Sequence, residues 1–178
     1  DPAVLAVVGV QDDVEQAAVL AFPDLGRVLD RIGQQLAVLD DAQAVVEALA
    51  PFAASVHLKD MAVQPDADGF LLSEVPLGTG LLDLPSMISA LRHANPGIAF
   101  NLEMGTRDPL KIPCLQQRYW EVFEPRKATE LARAMALVKE HPLKQPTPSV
   151  SGKETGAILL EEEANNRLSL DWMRAHIL

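Results

Sequence analysis

Short apolar runs with polar residues at every second position alternate here with longer segments whose apolar positions recur every three or four residues. Ser55-Val56-His57-Leu58-Lys59-Asp60 is the clearest of the short runs, and Phe100-Asn101-Leu102-Glu103-Met104 echoes it. Side chains of a strand alternate between its two faces. Ser55, His57 and Lys59 therefore share one face while Val56 and Leu58 take the other. By the same rule Asn101 and Glu103 lie opposite Phe100 and Leu102. Between the runs, Leu84, Met87, Ile88 and Leu91 fall on one face of a helix with Pro85 in its first turn and Asn95-Pro96-Gly97 as its stop. The whole reads as a βαβ unit of parallel strands, with His57 and Glu103 near the strand C-termini, where α/β barrels gather their ligands.

The same alternation extends to both sides. Ala3 to Val8 is a buried-strand candidate, a helix is expected over Asp12 to Ala21, and Leu25 to Leu29 reads as a short strand ending at Asp30. Asp40 or Asp41 can cap a helix carrying Ala42, Val45, Val46 and Leu49 on one face, which Pro51 ends. Met61 to Gly80, with Pro65, Gly69, Pro76, Gly78 and Gly80, reads as a long connecting loop of the kind that carries function. Thr106 to Glu124 has no clear period and suggests an ordered loop or short helices, with Tyr119 and Trp120 packed beneath. Pro125 opens a helix with Ala128, Leu131, Ala132, Met135 and Val138 inward, stopped at His141-Pro142. A proline-rich linker, 142–152, leads to a last amphipathic helix from Thr155 through Leu160, Ala164, Leu168, Trp172 and Ala175, whose Glu161-Glu162-Glu163 run is expected in solvent. The domain division that follows is 1–141 for the α/β body and 142–178 for linker and helix.

At 178 residues and 48% hydrophobic content the chain suits one domain with a real core. A formal charge of −10 argues against nucleic acid or an anionic membrane as partner, since both need a basic footprint. The single cysteine, Cys114, excludes an internal disulfide framework. No apolar run approaches the roughly 18 residues of a membrane span. No signal peptide is evident and the chain starts at Asp1, so a cytoplasmic protein with a processed or lost start is expected.

Alternating βα units imply a parallel sheet. About four strands are readable, whereas a closed barrel needs eight and roughly 250 residues, so the chain reads as the second half of a (β/α)8 TIM barrel. Val56-His57-Leu58-Lys59-Asp60, then Val75-Pro76-Leu77-Gly78-Thr79-Gly80, then Asn101-Leu102-Glu103-Met104 resemble the xylose isomerase-like TIM barrels, the superfamily of sugar-phosphate isomerases and epimerases and of the endonuclease IV relatives. The likeness runs from about Leu36 to Trp120.

The resemblance implies a divalent metal (Mn, Mg, Co or Zn) held by Glu, Asp, His and Glu from four successive strands. His57 matches the histidine, Glu103 the final glutamate, and Asp30 is the candidate aspartate, with a spacing to Leu36 one residue longer than usual. Val8 stands where the first glutamate is expected. The chemistry implied is isomerisation or epimerisation of a sugar or sugar phosphate through an enediolate. Glu103 and Lys59 are the catalytic candidates and Arg107 and Asp60 the substrate-binding ones. Glu103 can equally pair with Lys59 or Arg107, Lys59 with Asp60, and Arg107 with Asp108 as ordinary structural ion pairs. The loop 61–80 lacks the histidine that endonuclease chemistry calls for. A non-catalytic, degenerate or truncated barrel serving as a binding or assembly module is the alternative, favoured by Val8. Half a barrel leaves strand edges open, so self-association, as a homo-oligomer, or a separately supplied N-terminal half is expected.

Overall fold

A computed structural model describes residues 4–6, 42–122 and 128–178. They form a mixed α/β architecture of two small sheets joined edge to end. The first sheet is parallel, in the order β1 (Val4–Ala6), β2 (Ser55–Leu58) and β5 (Ala99–Leu102). The second is antiparallel, in the order β3 (Asp60–Asp66), β4 (Gly69–Val75) and β6 (Leu110–Ile112). No closed barrel is present among the described residues.

The βαβ expectation holds in detail. Helix α1 (Ala42–Leu49) precedes β2 through a 3-10 turn, Ala50–Phe52, and α2 (Leu84–Ala94) links β2 to β5. Asp83 caps α2 by accepting from the Ser86 amide at 3.2 Å, and Pro85 occupies the first turn, where its missing N–H costs nothing. Val56 and Leu58 turn to the core with Val46, Leu84, Met87, Ile88 and Leu91, while Ser55 and His57 face the other way, half-buried. Burial of each such aliphatic side chain contributes about 1.5–3 kcal/mol.

Three expectations are corrected. Residues 61–80 are mostly sheet: β3 and β4 pair as a hairpin from Asp60↔Val75 to Asp66↔Gly69. Pro65 is tolerated because β3 is an edge strand of its sheet. Secondly, sequential barrel strands would put Leu25 to Leu29 between β1 and β2, yet Val4, Leu5 and Ala6 pair directly with Ser55, Val56 and His57. The Leu25–Leu29 run and the Asp12–Ala21 helix lie outside the described residues. Thirdly, part of the segment after Glu103 is strand β6, followed by a 3-10 helix, Gln117–Val122.

Helix α3 (Ala128–Glu140) turns Ala134 and Val138, rather than Ala132, into a second core with Met61, Val63, Phe70, Leu72, Ile112 and Cys114. Tyr119 and Trp120 pack against that core edge-to-face, ring centroids 5.2 Å apart. The last helix, α4 (Thr155–His176), docks through Ser169, Trp172 and Met173, while Leu160 and Leu168 are exposed. Its inward face is the polar one for most of its length, which inverts the expected orientation. The linker is pinned rather than free: the Leu143 amide donates to Val63, and Asp108 accepts from the amides of Val150 and Ser151.

Candidate functional site

One residue, Lys59, separates β2 in the parallel sheet from β3 in the hairpin. The chain passes from one sheet to the other here, and a polar cluster occupies the seam. On the upper face of β2 and β5, Asn101 donates to the Ser55 hydroxyl at 2.9 Å. One register step on, His57 Nδ1 lies 2.8 Å from Glu103 Oε2. One further, Lys59 Nζ lies 2.9 Å from Glu103 Oε1. The parallel register sets this ladder: His57 is opposite Asn101, and the Glu103 amide extends the pairing by donating to the Leu58 carbonyl.

Glu74, which sequence reading missed, closes the cluster from β4. Its Oε1 is 3.1 Å from Lys59 Nζ and 2.9 Å from Arg107 Nη2, and its Oε2 accepts from the Gly105 amide at 2.9 Å. A carboxylate inside the apolar Phe70-Leu71-Leu72-Ser73-Glu74-Val75 run was the available signal, since a buried charge demands partners. Lys59 and Glu74 are only 5% and 7% exposed, whereas His57 and Glu103 are about two-fifths exposed, so the pair forms the accessible rim. Partial burial pushes the Glu103 carboxyl up, but hydrogen bonds from Lys59 and His57 outweigh it and hold its pKa below the ordinary value.

Asp60 does something other than face a ligand. It is 1% exposed and binds the backbone amides of Gly80 (2.8 Å), Gly78 and Met61 (both 2.9 Å) and Leu82 (3.4 Å). Burial raises its pKa against the lowering effect of those amides. The Val75-Pro76-Leu77-Gly78-Thr79-Gly80 segment thus wraps around this carboxylate. Gly80 approaches so closely that a Cβ there would sit 2.2 Å from Asp60 Oδ1, and Gly78 adopts φ +80° beneath Trp172, so both positions require glycine.

Arg107 pairs with Glu74, not with Asp108, and its loop is gripped from the other side by α4. Glu162 accepts from the Thr106 amide at 2.6 Å and Asn165 donates to the Thr106 hydroxyl at 2.8 Å. The middle residue of the Glu161-Glu162-Glu163 run is therefore half-buried and engaged rather than solvated.

Two ligands of a six-coordinate ion with bonds of about 2.1 Å stand about 3 Å apart. The 2.8 Å between His57 Nδ1 and Glu103 Oε2 fits such a pair. No group of three or more metal-binding side chains occurs among the described residues, and Asp30 and Val8 lie outside them. No helix among them is long and apolar enough to cross a membrane. No family model, no curated protein and no solved structure matches the chain.

Proposed function

We propose that the chain belongs with the xylose isomerase-like (β/α)8 barrels and serves as a divalent-metal-dependent isomerase or epimerase of a small sugar or sugar phosphate. The observation that carries this reading is the His57–Glu103 pair, side by side at the C-terminal ends of adjacent parallel strands with half their surface open. In it, His57 and Glu103 hold Mn, Mg, Co or Zn, with Asp30 as a further ligand. Such an ion acts as a Lewis acid toward the oxygens of a carbonyl and its neighbouring hydroxyl.

The chain's own residues supply the rest. Lys59 keeps Glu103 ionised and offers an ammonium beside the oxyanion that forms when the α-carbon loses its proton. Arg107 presents donors from the loop after Glu103 to a substrate hydroxyl or phosphate. Asp60 contributes by shaping the 76–80 loop. Two-base epimerisation needs a second carboxylate opposite Glu103, and Val8 is not one, so a single-base isomerisation is the better form of this proposal. The open strand edges favour a second copy, or a separately supplied N-terminal half, as partner.

A specific observation favours the non-catalytic alternative. Both Glu103 oxygens are already engaged, Oε1 by Lys59 and Oε2 by His57. A binding or assembly module would keep such a closed cluster. Two measurements separate the readings: elemental mass spectrometry of the purified protein beside a His57→Ala/Glu103→Ala variant, and deuterium incorporation next to the carbonyl of ketoses and aldoses in D2O. Near-stoichiometric metal absent from the variant, with exchange at the α-carbon, supports the enzyme. No metal in either protein and no exchange on any sugar leaves the module.

A further inference from the structure

We infer that Glu74 is a positioning residue for the His57–Glu103 pair: it shares the Lys59 ammonium so that Glu103 stays available to a cation, and it fixes the backbone that follows Glu103. This rests on the metal reading above and adds a residue from the hairpin to it.

Strand alternation puts Glu74 on the same face of β4 as Phe70 and Leu72, which pack into the second core. A carboxylate on such a face is unfavourable unless fully bonded. All of its bonds run to the site: Lys59 at the end of β2, and Gly105 and Arg107 just beyond β5. The ammonium of Lys59 carries three donors and one charge. Glu74 and Glu103 are the two carboxylates paired with it among the described residues.

Without the Glu74 charge, the buried ammonium would draw wholly on Glu103, and the attraction is strong in so dry a place. Glu103 would then be held as an ion-pair partner and would compete poorly as a ligand. With Glu74 present, the Lys59 charge is balanced on the buried side. The second Glu74 oxygen anchors Gly105, two residues past Glu103, so the ligand's own backbone is held as well.

The test is a Mn2+ titration of the whole chain, read by the electron paramagnetic resonance of free Mn2+, for wild type, Glu74→Gln and Glu74→Asp. Loss of such a supporting carboxylate is expected to weaken binding about 10- to 100-fold. Glu74→Asp, which keeps the charge, should recover most of the affinity, whereas a merely space-filling role would favour the isosteric Gln. Equal Mn2+ affinity in wild type and Glu74→Gln overturns the inference, and so does a Glu74→Gln chain that loses its native amide spectrum. Should wild type bind no Mn2+, the metal reading fails, and Glu74 is judged by the Lys59 ammonium resonance of the metal-free protein. A slowly exchanging Lys59 signal that persists in Glu74→Asp and vanishes in Glu74→Gln retains the positioning role. An unchanged signal in Glu74→Gln removes it.

Discussion

Lys59 and Asp60 stand next to each other in sequence and do opposite work. Lys59 reaches up into the polar seam, where it joins two glutamates. Asp60 points into the loop at 76–80 and supplies its acceptors. Removing a buried acceptor strands the amides that used it, at about 1–3 kcal/mol for each left unsatisfied. Asp60→Ala is therefore expected to lower stability by about 3 kcal/mol or more in urea denaturation, and a loss under about 1 kcal/mol would show that the loop finds other partners. Glu103 gives a pH test with a definite sign. Its folded pKa lies below the ordinary glutamate value of 4.5, so its stabilisation is present above that value and is lost as pH falls through the folded pKa. Comparing wild type with Glu103→Gln isolates it: the stability difference should be flat near neutrality and shrink below about pH 4.5. A difference that grows on acidification would mean that the folded state raises this pKa. At this scale His57, Glu103 and Lys59 were legible because alternation places them on one face. Glu74 and Glu162 were not, since each makes its contact across elements that local pattern cannot join.

Elements were readable where their apolar positions kept a single period. Helices α1 and α2 and strands β2 and β5 follow the pattern residue by residue. The hairpin escaped because both β3 and the run opening β4 are buried on both faces, which erases the alternation, and because Pro65 and Gly69 read as breakers. Helix α4 escaped for the converse reason. Its apolar stripe through Leu160 and Leu168 faces out, while Glu162, Asn165 and Ser169 face in to serve the loops at 76–80 and 105–108. Ser169, fully buried, accepts from the Leu77 amide at 3.2 Å and donates to the Asn165 carbonyl at 2.9 Å. Ser169→Ala leaves that amide without its acceptor and should cost about 1–2 kcal/mol. Leu168→Gln, on the outward stripe, should stay within about 0.5 kcal/mol. Thermal unfolding of the two variants side by side checks the orientation, and the reverse ranking would put the leucine stripe inward after all.

On the scale of the whole molecule, two sheets meet at Lys59 and share one polar seam, with a core behind each. The parallel sheet buries Val56 and Leu58 beneath, yet its upper face, with Ser55, His57, Asn101 and Glu103, has no opposite wall among the described residues. Nor does β5 carry a further strand on its outer side among them. An edge of that kind, with unpaired backbone groups beside a polar site, is a template for another chain. If the barrel reading is right, that wall has to come from a second copy or from a separate N-terminal half, and the site functions only once it is supplied. Light scattering across the micromolar range should then give a mass of at least twice 19.3 kDa, or a monomer that gains mass on meeting its complementary half. Association should also reduce the solvent exchange of the β5 amides, because the bonds that form are backbone ones. A stable 19.3 kDa particle with metal bound would refute the need for a wall. A stable monomer without metal would go further, since an uncovered sheet with a closed ion cluster is what a surface for assembly, rather than a reaction vessel, would retain.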